Sequence, residues 1–176
     1  MVTCYLNLLN IYCSQNEFGN ALDCGSKALK IAQEIGDSKL QQKCCANLGR
    51  VYCYLKEFDK AIQYSSNALK IAKETGDKTA QLIPYFTLCS SYSSLGRFKE
   101  VINCGSQALQ VTKEIETPEL EFRCYEILAQ AYEKLSDFEK ATNNYRKALE
   151  VGNKVKEALE KEALKVVAEI ESPACQ

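Results

Sequence analysis

The chain has 176 residues, 46% of them hydrophobic, which is enough to bury a core as one domain or one continuous repeat array and excludes wholesale disorder. Its 22 basic and 23 acidic side chains leave a formal net charge of -1, so no global field draws it toward nucleic acid or an anionic membrane. Histidine is absent, which removes the commonest general base and the commonest metal ligand and argues against most hydrolytic and metal-dependent mechanisms.

The chain opens on MVTCYLNLLNIYC, which has no basic n-region and carries Asn7 and Asn10 inside its apolar run; it reads as an amphipathic helix, not a secretory leader. No stretch approaches the roughly 18 consecutive apolar residues that a membrane helix requires. From here the sequence repeats with a period of about 40 residues, the signature of a solenoid or array. In the first repeat, about residues 2–37, one helix stops at Asn16-Glu17, a second opens at Phe18, and Gly36-Asp37 forms the link. The second, about 38–77, repeats this with Lys56-Glu57, Phe58 and Gly76-Asp77. Glycine ends a helix in the left-handed conformation, and Asp or Thr caps the next. The third, about 78–117, breaks at Gly96-Arg97 and ends at Glu116-Thr117-Pro118; Pro84 falls within its first helix, which should kink there or begin late. The fourth, about 118–155, breaks at Ser136-Asp137 but lacks such a link at its end. A turn is expected near Gly152-Asn153, then a capping helix over about 155–171 and a flexible tail at 172–176.

Equivalent positions carry matching residues: Phe18, Phe58, Phe98 and Phe138; Tyr12, Tyr52, Tyr92 and Tyr132; Leu8, Leu48, Leu88 and Leu128. Ala28, Ala68, Ala108 and Ala148 are each followed by leucine, and Ala21, Ala61, Val101 and Ala141 lie earlier on the same helix. Within a repeat the apolar residues recur at three and four, as in Phe58, Ala61, Ile62, Ala68, Leu69 and Ala72, so each unit is a pair of helices. Alanines on facing surfaces let the backbones approach, while leucine and aromatic positions fill the space between successive pairs.

The stretch ANLGRVYCYLKEFDKAIQYSSNALKIAKETGD, residues 46–77, resembles tetratricopeptide repeats, in particular the 40-residue type of the Pins/LGN cell-polarity adaptors and kinesin light chains. The resemblance covers about residues 2–155 and implies an all-α fold, an α-solenoid of four tandem helix-turn-helix repeats plus a C-terminal capping helix. The sequence departs from the family pattern in two places. The aromatic near the start of each first helix is Tyr5, Tyr85 and Tyr125 but Cys45 in the second repeat, and the glycine after the recurrent leucine survives only at Gly49, with Leu9, Cys89 and Ala129 in its place.

The resemblance further implies a protein-interaction scaffold in which the first helix of each pair lines a concave groove, binding a protein or peptide partner without a cofactor. Its polar groove residues would be Asn7, Asn10, Lys43, Asn47, Arg50, Tyr54, Thr87, Ser90, Arg123, Glu126 and Gln130. Asn7 and Asn47 take the position at which peptide-binding members hold a ligand backbone, since an amide both donates and accepts. Arg50 and Arg123 suit charge-assisted contacts to an acidic partner. Binding of Hsp70 or Hsp90 tails is not expected, because the third first helix offers Ile83 and Thr87 where that clamp needs Lys and Arg. The runner-up function is a structural spacer that self-associates weakly through the ends of the array, motivated by Leu6, Leu9 and Ile11 on the first helix. No nucleic-acid or membrane partner is expected, because Lys and Arg alternate with Glu and Asp and form no basic stripe.

Ten cysteines with only three prolines fit a reducing, cytoplasmic compartment better than a secreted disulfide scaffold. Cys4, Cys44 and Cys124 share one repeat position, Cys13 and Cys53 another, and Cys24 and Cys104 a third, so duplication accounts for them. On one helix Cys45 and Cys53 stand about 12 Å apart along the axis, too far to share a zinc ion. With lysines as the only available bases, a cysteine nucleophile is not expected, and the chain reads as a non-enzyme.

Overall fold

Helix follows helix along this chain because the same tight turns recur every 40 residues. Within each repeat the backbone enters the left-handed region at Asn16 (φ 59°), Lys56 (60°), Gly96 (70°) and Ser136 (60°). The next amide then donates back across the turn, from Glu17, Glu57, Arg97 and Asp137 to the carbonyls of Tyr12, Tyr52, Tyr92 and Tyr132, at 2.8–3.0 Å. This geometry satisfies carbonyls that the end of a helix otherwise leaves open. Between repeats Gly36, Gly76 and Glu116 take the same conformation, and Asp37, Asp77 and Thr117 close the turn onto Ala32, Ala72 and Thr112.

The computed structural model describes residues 1–171, so the expected tail at 172–176 lies outside the described residues. The helices are α1 (Val2–Ser14), α2 (Phe18–Ile35), α3 (Ser38–Tyr54), α4 (Phe58–Glu74), α5 (Leu82–Ser94), α6 (Phe98–Glu114), α7 (Pro118–Lys134) and α8 (Phe138–Glu171). Among the described residues there is no strand, and no helix is long and apolar enough to cross a membrane. Each helix packs on the next, forming an α-solenoid; α1 also packs on α3 and α3 on α5, so the first helices make an inner layer.

Asp37 accepts from the Leu40 amide at 2.9 Å and caps α3 as expected, whereas Asp77 accepts from the Ala80 amide at 2.9 Å in the turn that precedes α5 and does not cap that helix. Thr117 does not cap α7: its hydroxyl donates to the Thr112 carbonyl at 3.3 Å, across the turn it closes. Pro84 delays α5. A 3₁₀ turn over Thr79–Gln81 leads into a 13-residue α5, against 17 residues in α3 and α7, which places the proline in the first turn, where its missing N–H costs no intrahelical bond.

The turn expected near Gly152-Asn153 is not made; α8 runs unbroken for 34 residues. A Cβ at Gly152 would meet two carbons of the Phe122 ring at 3.4 Å, about van der Waals contact, so this glycine lies against α7 within the helix and does not terminate it. Glycine inside a helix costs only about 1 kcal/mol relative to alanine, and the lysines and glutamates that follow favour continuation.

The repeats lock together through leucines that sit over small residues of the preceding helix pair. Leu48 of α3 covers Gly25 of α2, where a Cβ would come within 2.6 Å of its Cδ2, and Leu128 of α7 covers Gly105 of α6 at 3.1 Å. The missing family glycine in the first repeat follows from the same economy of space. There Leu9 meets Gly25 of α2, whereas in the second repeat Gly49 meets Ser65 and the Ala61 carbonyl of α4, so the small residue has changed helices. Cation–π contacts recur with the same period: Lys73 over Tyr85 at 5.5 Å and Lys113 over Tyr125 at 5.4 Å.

The first repeat departs from sequence equivalence in burial. Leu48, Leu88 and Leu128 are at most 4% exposed, yet Leu8 is 40% exposed, because its face of α1 meets no preceding helix among the described residues. In the 176-residue chain, replacing Leu48 with Ala should therefore cost about 2–5 kcal/mol. The same change at Leu8 should cost under about 1 kcal/mol. Urea unfolding of both variants checks the pair, and equal losses would contradict this packing.

Candidate partner-binding groove

The inner helices do not pack uniformly. α1, α3 and α5 adjoin one another, but no comparable packing joins α5 to α7. The opening is partly filled by Arg123 of α7, whose guanidinium lies 4.5 Å from the Phe86 ring of α5. Two cavities flank this stack. One, about 330 Å³, lies between α3, α5 and α7 and is lined by Arg50, Cys53, Tyr54, Ile83, Phe86, Thr87, Ser90 and Arg123. The other, about 570 Å³, continues past Ser90, Ser93 and Ser94 to Ile127, Gln130 and Glu133 of α7 and to Tyr145 of α8.

Arg50 is held in place by amides, not by a carboxylate. Its Nη2 donates to the Asn47 side chain at 2.9 Å and to the Asn10 side chain, one repeat away, at 2.6 Å. Asn47 in turn donates to the Lys43 carbonyl at 2.8 Å. Asn10 and Asn47 thus spend their side-chain oxygens on orienting Arg50. The Arg50 Nε is buried with no hydrogen-bond partner among the described residues. Neither Arg50 nor Arg123 forms an ion pair among the described residues.

The acidic side chains lie toward the other end. The Tyr145 hydroxyl donates to Glu133 at 3.1 Å, and its ionisation is pushed up first by desolvation, then by that hydrogen bond and the charges of Glu133 and Glu126. Glu133 shares the larger cavity with Lys134, whereas Arg50 and Arg123 line the smaller one, where no acidic side chain among the described residues joins them.

Of the residues singled out in the sequence, the cavities bring together Arg50, Tyr54, Thr87, Ser90, Arg123 and Gln130. Asn10 and Asn47 join them through Arg50, whereas Asn7, Lys43 and Glu126 line neither cavity. Tyr54 stacks on Phe18 of α2, ring centroids 5.7 Å apart, and stays 55% exposed. Thr87 is buried, and its hydroxyl donates to the Ile83 carbonyl of its own helix, which leaves it little reach. Polarity as the selection rule missed Ile83, Phe86 and Tyr145. Ile83 and Phe86 share the helix face of Thr87 and Ser90 at three- and four-residue spacing, a signal present in the sequence.

Cys89, a thiol in both the cavity wall and the core, is a poor nucleophile because burial drives its ionisation far up. Burial likewise raises Cys44, Cys45 and Cys124 to about 11 from an ordinary 9.0. Among the described residues no three His, Cys, Asp or Glu side chains converge as a metal-binding group. The groove can offer hydrogen bonds, charge and apolar contact. Thiol labelling of the native chain at pH 8 should modify exposed Cys4 while Cys44, Cys45, Cys89 and Cys124 resist until denaturant is added; mass spectrometry of timed samples reads this directly.

Comparison with known proteins agrees with this architecture. The family description "Tetratricopeptide repeat" matches residues 42–114 and again residues 122–151. The crystal structure of BtubC (BKLC) from P. vanneervenii superposes with a TM-score of 0.82 at 20% identity, covering 88% of this chain and 64% of that one. Nearly identical TPR-like repeats from Podosopora anserina, classed with kinesin light chain, give 0.74 at 15% identity, covering 89% of this chain and 76% of theirs. A Rap protein complexed with Competence and Sporulation Factor gives 0.70 at 16% identity, covering 85% of this chain and 42% of that one. No curated protein sequence matches significantly. The chain is a tetratricopeptide repeat protein, and it spans less than two thirds of the length of BtubC and of the Rap protein.

Proposed function

We propose that this chain is an interaction scaffold that grips a peptide segment of a partner protein in the groove lined by α3, α5 and α7. The observation that carries the reading is the pair of adjoining cavities at the gap between α5 and α7, where charged, hydroxyl and apolar side chains face one opening. A structure of the same fold, the Rap protein, has been solved in complex with Competence and Sporulation Factor, which supports ligand binding by arrays of this architecture. The module acts by binding, not catalysis. Each neutral hydrogen bond to a ligand backbone contributes about 1 kcal/mol net, so affinity must come from several groove contacts together. Capture of peptides on an array should fall about tenfold or more in an Asn47→Ala, Arg50→Ala double variant, which loses the charged group of the α3 wall and the amide that orients it. Equal capture by wild type and variant would remove these residues from the site.

A second reading is self-association through the outer face of α1. Leu8 and Ile11 are 40% and 50% exposed, whereas their equivalents Leu48 and Val51 are fully buried under the preceding helix pair. A second copy presenting a helix of that kind would cover them. Sedimentation velocity across a concentration series should then show a dimer that Leu8→Lys abolishes, and a strictly monomeric wild type would end this reading.

A further inference from the structure

We propose that the cavity between α3, α5 and α7 selects an acidic side chain, the carboxylate of a glutamate or aspartate within the bound segment, seated between Arg50 and Arg123. The inference rests on the groove reading above and names the chemistry of its occupant. Three observations carry it. Both arginines line the same cavity of about 330 Å³. Arg50 is fixed by two neutral amide oxygens, so its positive charge is oriented without being cancelled. Arg123 lies over the Phe86 ring, a placement that orients its guanidinium while leaving its in-plane N–H groups free to donate.

The other charged groups along the groove sharpen the preference. Lys134 lines the larger cavity and adds positive charge. Glu133 lies in that cavity too, but it accepts from Tyr145 on the α8 side, and Glu126 acts on the same phenol. Neither glutamate pairs with Arg50 or Arg123. A carboxylate accepts from two guanidinium N–H groups at once with matching geometry, and both arginines meet its charge. A ligand amide would meet the same donors without the charge, so carboxylate should win over amide at this position.

The test uses the 176-residue chain and two matched pools of fluorescent dodecapeptides, identical except that one fixes Asp or Glu at two central positions and the other fixes Asn or Gln there. Anisotropy titration should give the acidic pool at least about tenfold tighter binding, with the advantage shrinking as salt rises from 50 to 500 mM. Arg123→Gln and Arg50→Gln should each reduce that preference about tenfold; circular dichroism confirms that both remain folded, and exposed Arg123 is the variant least able to perturb the core. If both pools bind wild type equally, the acidic preference is overturned and groove binding stands. An acidic preference untouched by either variant would also overturn it, placing the acid elsewhere. If neither pool binds, the groove reading itself fails, and this inference with it.

Discussion

The contact on which the rest of the molecule depends is a leucine seated over a residue too small to resist it. Leu48 over Gly25 and Leu128 over Gly105 let successive helix pairs approach closely, and each such contact is nearly dry. Because a solenoid repeat touches only its neighbours, stability accumulates interface by interface, and no single core spans the chain. The buried clusters follow this pattern: Val2, Leu6, Ala28, Ala32 and Cys44 form one, and Leu82, Tyr85, Ala108, Val111 and Cys124 form its counterpart two repeats on. The polar residues that are drawn in, such as Gln42 donating to the Ala80 carbonyl at 2.9 Å, tie one repeat to the link that follows.

That leucine contact constrains the inner layer but does not fix it. Its sides are set by how closely first helices approach one another, and here α5 begins late and α7 stands away from it. The Arg123–Phe86 stack occupies that gap and divides it into two cavities. The two cavities therefore sit where the repeat is least regular, which is also where Pro84 interrupts the pattern.

Much of the fold was legible in the sequence because the repeat writes its structural needs more than once. Phe at the opening of each second helix, alanine at the crossings and Gly-Asp at the links are local requirements of helix ends and close packing. The candidate site was half legible. Arg50, Ser90, Arg123 and Gln130 stood out as polar residues on the first helices, but Ile83 and Phe86 were passed over because an apolar groove wall and an apolar core residue look alike in one dimension. Asn10 and Asn47 were identified as residues that would meet a ligand; their contact with Arg50 spans 40 residues of sequence and appears only when α1 and α3 lie side by side.

The sequence by itself determined the repeat, its helix boundaries through the third link and the class of architecture, since these follow from spacing, caps and residue size within a few turns of chain. Tertiary structure alone decided that Leu8 stays wet while Leu48 is dry, that Gly152 lies mid-helix against Phe122 where a turn was expected, and that two arginines 73 residues apart in the chain face one cavity. The physical reason is common to all three. Burial, close approach and charge balance belong to pairs of surfaces, and which surfaces meet depends on how the repeats stack.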